Sequence, residues 1–215
     1  MTNNNTKYYT GVGSRSLPSS TLELIEKIAV VMARKGYTLR SGAADGADKA
    51  FQKGACSVAP HKTEIWLPWR GFNNTAYVYT PMAAANCFVI TEREVVLAGE
   101  LLIETGIMSW WDNCKQSVHR LHGRNVHQVC GKPVMQKFTR NPSKGSMWNY
   151  PNNPSLLSSV CIYAAPLTEG GDVKGGTRTA VEISKWYGVP TYNLLVDSER
   201  EKLLKLLNIE EEKIE

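Results

Sequence analysis

Apolar and polar positions change their period several times along the chain. "KYYTGVGSR" reads as a short strand, about residues 7 to 12, ending in a glycine turn. "TLELIEKIAVVMARKG" then sets Leu24, Ile25, Ile28 and Met32 at helical spacing. Ser19, Ser20 or Thr21 is expected to cap that helix and Gly36 to stop it. "YTLRSG" is the next strand, "AADGADKAFQKGA" opens a second helix, and "TEIWLPW" is a third strand. Alternation of this kind builds βαβ units, and therefore a mainly parallel, doubly wound sheet with helices on both faces.

From about 68 to 157 the pattern loosens. "RGFNNTAYVYTPMAAANC" and "TRNPSKGSMWNYPNNPS" are rich in Asn, Pro, Gly and aromatic residues. Between them "EREVVLAGELLIETG" and "SWWDNCKQSVHRLHGRNVHQVC" read as helical, so this part is expected to be a helical and loop insertion within one domain covering 1–215. The parallel pattern resumes with the strand "LLSSVCIYAA", a glycine loop, the helix "TAVEISKWYG", the strand "PTYNLL" and a charged terminal helix.

Composition narrows the function. A 215-residue chain that is 42% hydrophobic has ample material for one core. Its formal charge of +5 is spread along the sequence, which suits an anionic small molecule and does not demand a nucleic acid. The five cysteines are odd in number and form no CxxC pair, so neither a disulfide framework nor a zinc ribbon is expected. With no signal-like N-terminus and no apolar run near the roughly 20 residues that cross a bilayer, the expected location is the cytoplasm, away from membranes.

In an open parallel sheet, ligands bind beyond the carboxyl ends of the strands, where strand order reverses. Three glycine-bearing stretches fall at such ends. In "TGVGSRS", Gly11 and Gly13 permit a tight turn while Ser14 and Arg15 can donate to a phosphate; an ordinary strand-to-helix turn explains them equally. In "RSGAADGAD", Ser41, Gly42 and Gly46 leave little bulk. Asp45 is placed either to accept from ribose hydroxyls or to cap the helix that Asp48 also opens. In "GGTRTAVE", Gly175 and Gly176 bring the backbone close, and Thr177, Arg178 and Thr179 offer donors. Glu182, one turn on, faces either a ligand or solvent.

Taken in order, "GVGSR", "SGAADGAD" and "GGTRTAVE" resemble the SLOG superfamily. This group includes LOG-type phosphoribohydrolases, DprA DNA-processing proteins and nucleotide-sensing domains of antiphage systems. LOG-type enzymes carry G-G-x-G-T-x-x-E, which residues 175–182 follow with Arg178 in place of the fourth glycine. They also carry M-H-x-R-K, which "LHGRN" matches at His122 and Arg124 but not at Asn125. Lys174 stands where a proline usually precedes the glycine pair. The resemblance implies a Rossmann-like fold. It also implies that Arg124 and Glu182 form the catalytic pair that cleaves the N-glycosidic bond of a nucleotide or ADP-ribose-like ligand, the carboxylate stabilising oxocarbenium charge.

Two other functions follow from the same resemblance. One is a non-catalytic module that senses or sequesters a signalling nucleotide; the other is DprA-like binding of single-stranded DNA, for which Trp69 and Phe72 are the stacking candidates. His119, His122, His127, Cys114 and Cys130 fit no standard zinc spacing, so helix packing is their expected role and neither metal nor organic cofactor is expected. Relatives of this type pair through helices beside the site. A homodimer or higher homo-oligomer is therefore expected, with Trp110 and Trp111 as anchors.

Overall fold

A computed structural model describes residues 6–74, 86–131 and 156–210. In chain order the elements are β1 (Tyr8–Gly13), α1 (Ser19–Arg34), β2 (Thr38–Ser41), α2 (Ala47–Val58), β3 (Thr63–Leu67), β4 (Asn86–Val89), α3 (Glu92–Glu104), α4 (Gln116–Cys130), β5 (Ser158–Ala164), α5 (Thr177–Trp186), β6 (Thr191–Asn193) and α6 (Asp197–Leu207). All six strands pair in parallel in the order β4-β3-β2-β1-β5-β6. The chain steps outward from β1 to β4, then returns to the other side of β1. Strand order thus reverses between β1 and β5, and the fold is Rossmann-like.

Period-two alternation feeds both faces of the sheet. Ile162 and Ala164 of β5 join Tyr9, Leu39 and Phe51 in a core under α1, α2 and α6. Cys161 and Tyr163 join Val12, Trp66 and Val126 in a second core on the opposite face, with residues of α3, α4 and α5. The stretch 86–131, which the sequence leaves as mixed helix and loop, supplies the expected helices and one strand that was not expected, β4. "TRNPSKGSMWNYPNNPS" and Trp148 lie outside the described residues.

Helix ends follow local chemistry. α1 stops at Gly36 in a Schellman arrangement: with φ +85°, the Gly36 N–H donates to Ala33 O (2.9 Å) and that of Tyr37 to Met32 O (3.1 Å). At its start, however, Pro18 holds the cap position and no side chain caps; Ser19, Ser20 and Thr21 are already helical. α3 opens with a capping box in which Thr91 Oγ1 accepts from Glu94 N (3.3 Å) and Thr91 N donates to Glu94 Oε2 (2.7 Å). α4 begins later than its pattern suggests, because Trp111 turns inward onto Gly99, where a Cβ would come within 2.5 Å of the indole. His119 stacks on that indole at 4.3 Å and its Nε2–H donates to the Trp111 carbonyl (2.7 Å). Trp111, expected at a dimer surface, is therefore a core residue.

Among the described residues one arginine lies inside the sheet, and it ties distant segments together. Arg40 of β2 is 1% exposed, pairs with Glu64 (2.7 Å), lies 3.7 Å from the Tyr8 ring and donates to the carbonyls of Val129 and Leu156. The end of α4 and the approach to β5 are thereby held over the same guanidinium. All five cysteines are free. Among the described residues no helix is long and apolar enough to cross a membrane.

Candidate functional site

Beyond the carboxyl ends of β1 and β5 lies a cavity of about 450 Å³ at the reversal of strand order. The turn after β1 gives it Gly13, Ser14 and Arg15; the loop and first turn of α2 give Ala44 and Asp48; the loop before α5 gives Lys174, Gly175, Gly176 and Thr177. α4 lays Leu121, His122, Arg124, Asn125 and Gln128 along one side. The three glycine-bearing stretches therefore converge.

Asp48 knits two of these loops. Its carboxylate accepts from the N–H of Gly13 (3.2 Å) and of Ala44 (3.3 Å), and Arg124 Nη2 approaches it at 3.8 Å. Burial pushes the Asp48 carboxyl above its ordinary pKa, opposed by the Arg124 charge and by backbone donors from Ala44, Gly13 and Gly42. Arg124 also donates to the Gly42 carbonyl, stands 5.0 Å from the Phe72 ring and has its own pKa lowered, chiefly by burial. These two groups brace the floor of the cavity. Above them, Asn125 Nδ2 donates to Gly176 O (2.8 Å) and His122 Nδ1 meets Thr179 Oγ1 (2.7 Å), latching α4 to the glycine loop. Burial is the main reason that the His122 pKa falls, with Arg124 and His119 acting in the same sense.

Several polar groups lining the cavity have no partner among the described residues. Gln128 is 1% exposed, yet neither polar atom of its amide has a partner among the described residues, and Arg124 Nε is likewise buried and unpaired. Arg15 and Lys174 are exposed at the mouth and take no part in an ion pair among the described residues. At the start of α5 the N–H groups of Arg178 and Thr179 donate to Gly175 O (3.2 Å) and Gly176 O (3.3 Å), so the helix N-terminus meets the cavity at Gly176 and Thr177. Cations beside the positive end of a helix suit an anion.

The remaining expected site residues lie elsewhere. Gly11 and Gly42 serve packing: a Cβ on Gly11 would fall 2.7 Å from Phe51, and one on Gly42 2.3 Å from Gln128 and 2.4 Å from Arg124. Ser41 is buried and donates to Gly11 O (2.7 Å). Gly46, at φ +76°, opens α2 against the carbonyls of Ser14 and Arg15. Asp45 points to solvent and pairs with Lys49 (2.6 Å). Arg178 pairs with Asp172 at 3.5 Å, and Thr179 is buried against His122.

Glu182 does not share the cavity of Arg124. It lines a separate concavity of about 430 Å³ with Arg178, Trp110, Trp186 and Lys185, whose ammonium donates to it at 3.0 Å. Arg124 and Glu182, expected as one pair, are thus not brought to one point. Sequence reasoning did not single out Gln128, although it follows Arg124 by four residues and so shares its helix face. The histidines and cysteines of the α4 region do not converge either; among the described residues no group of three His, Cys, Asp or Glu side chains is set to hold a metal. His127 stacks on Trp66 at 4.6 Å, away from His119 and His122.

Fold and site together define a parallel, doubly wound α/β domain with a cation-rimmed cavity at its switch point. No family model matches the chain, and no curated protein does. Among solved structures, DNA processing protein A from Helicobacter pylori, described for its mode of binding single-stranded DNA, is similar over 96% of this chain and 74% of its own. The TM-score is 0.48 and the identity 16%.

Proposed function

We propose that the switch-point cavity binds a nucleoside phosphate. The phosphate lies against the first turn of α5 between Arg15 and Lys174, and the base lies toward Leu121 and Ala44. The observation that carries this reading is the pair of exposed cations, neither in an ion pair among the described residues, beside the N-terminus of α5 at the reversal of strand order. It is a reading of binding without cleavage: hydrolysis as the SLOG resemblance implies would need the Glu182 carboxylate at the ribose of this ligand, and Glu182 borders a different concavity.

A second reading extends the first. A single DNA strand presents the same phosphates and bases, and Trp69, 38% exposed and edge-on to Phe72 at 5.3 Å, offers a stacking surface close to Arg124. The test is titration of the protein with nucleoside monophosphates and, separately, with labelled single-stranded oligonucleotides. An Arg15→Ala/Lys174→Ala variant is expected to weaken whichever binds by about tenfold or more, since hydrogen bonds to charged groups contribute about 1.5–3 kcal/mol each. Oligonucleotide binding without mononucleotide binding selects the strand. Wild-type protein that binds neither, or a double variant that binds as well as wild type, ends the proposal; release of free base by wild type but not by Glu182→Ala would reinstate the hydrolase.

A further inference from the structure

Two further concavities lie next to one another beside the switch-point cavity. One of about 300 Å³ shares His122, Lys174 and Gly175 with it, and shares Ile107, Trp110 and Arg178 with the 430 Å³ concavity that holds Glu182. The three lie side by side along α5, and together they are called the track below. At its far end stand Trp110, just before α4's leading turn, and Trp186, the last residue of α5; each is 49% exposed, and among the described residues neither is stacked on another ring.

Two large half-exposed indoles lining one concavity present flat apolar faces with no partner of their own, an arrangement that takes a planar ring. The charges there are not those of a phosphate site. Lys185 is bonded to Glu182 at 3.0 Å and Arg178 lies 3.5 Å from Asp172, so the far end is close to neutral. A carboxylate accepts hydrogen bonds and repels phosphate. Glu182 therefore suits hydroxyl groups, while Lys174, between the two ends of the track, suits a phosphate.

Resting on the nucleoside-phosphate reading above, we propose that the track holds the second half of a ligand made of two phosphate-linked nucleotides. The second base stacks on Trp110 and Trp186, its ribose hydroxyls donate to Glu182, and the linking phosphate lies by Lys174. Neither tryptophan borders the first cavity, so the two halves are separable by experiment.

Affinities of wild-type protein are measured calorimetrically for AMP, for a 5′-phosphorylated 3′,5′-linked adenine dinucleotide, for its deoxy counterpart and for diadenosine pyrophosphate. The expected result is that at least one dinucleotide binds about 5- to 100-fold more tightly than AMP, the range set by stacking one base on aromatic rings. The two linkages distinguish a strand from a pyrophosphate-joined ligand. Trp110→Ala/Trp186→Ala is expected to abolish that gain and leave AMP affinity as it was, whereas Trp110→Phe/Trp186→Phe keeps part of it. Glu182→Gln is expected to narrow the preference for ribo- over deoxyribodinucleotide. Equal wild-type affinity for AMP and every dinucleotide overturns the proposal and leaves the mononucleotide site standing, and this comparison needs no variant to fold. A double alanine variant that retains the gain also overturns it. Failure of AMP and all dinucleotides to bind removes both proposals together.

Discussion

Acidification should unseat α4, the helix that carries Arg124 and Gln128 to the cavity, through His127. This imidazole is fully buried, stacked on Trp66 at 4.6 Å, with its Nδ1–H donating to Gly131 O at 3.1 Å and its Nε2 without a partner among the described residues. Burial lowers its pKa from 6.5 to about 4; the Gly131 carbonyl and Glu94 push the other way, and Arg40 adds to the lowering. A base whose folded pKa is depressed contributes stability that is present above its unfolded pKa and is lost as pH falls toward the folded one. The drop from 6.5 to about 4 is about 2.5 units; at about 1.36 kcal/mol per unit that is about 3 kcal/mol in all, of which about 2 disappears between pH 7 and pH 5. His122 shifts in the same direction, so wild type alone does not isolate the effect. The comparison is urea unfolding at pH 7 and pH 5 for wild type and His127→Phe, which keeps a ring over Trp66 but cannot titrate. Wild type should lose about 2 kcal/mol more than the variant, or roughly 1 M in urea midpoint for a chain of this size. Parallel losses, within about 0.5 kcal/mol, would refute the assignment of a buried neutral imidazole.

Three substitutions probe the cavity floor. Gly13→Ala puts a Cβ 2.5 Å from Ala164 O and 2.7 Å from Ala47 Cβ, where backbone must move; a cost of about 1–3 kcal/mol is expected, read as a melting temperature lower by roughly 3–10 °C. Asp48→Ala strands the Arg124 charge and two amide donors, so about 3–5 kcal/mol should be lost in chemical denaturation, and an Asp48→Asn variant as stable as wild type would mean that charge is immaterial. Gly42→Ala drives a Cβ into Arg124 and Gln128, which are flexible at their ends; nucleotide affinity should fall, and calorimetry showing unchanged affinity would place the ligand away from that wall.

The fold was legible where buried strands alternate with capped or glycine-stopped helices. β3 is largely buried and its run Ile65, Trp66 and Leu67 announces it, and Gly36 marks a chain reversal made in the left-handed region, which glycine enters without strain. β4 was not legible for the opposite reason: it is an edge strand, three of its four residues are exposed, and no buried face imprints a pattern. The late start of α4 was hidden because Trp110 and Trp111 satisfy a helical pattern, whereas it is the fit of Trp111 over Gly99 that bends the chain there. At α2 the sequence pointed to Asp45 for the ribose hydroxyls and set Asp48 beside it at the helix start. Gly46 decides between them, since its positive φ leaves Asp45 outside and lets the helix carry Asp48 under Gly13.

The same helical arithmetic bears on Glu182. Residues advance about 100° around an α-helix, so positions 180 and 182 lie about 200° apart, on nearly opposite sides. Ala180 borders the switch-point cavity, and α5 starts at Thr177. Glu182 is consequently turned from Arg124 by the helix itself rather than by a side-chain rotamer. A motif read as letters puts the glutamate one turn from Thr179 and therefore near the ligand. Read as a helix, it puts Thr179 against His122, Ala180 at the cavity, and the carboxylate on the face shared with Lys185 and Trp186. For a ligand in the switch-point cavity to bring a sugar to Glu182, that sugar must come round the start of α5 past Lys174 and Gly175, which border both neighbouring concavities. On the dinucleotide proposal, it is the second ribose, beyond the linking phosphate, that meets Glu182.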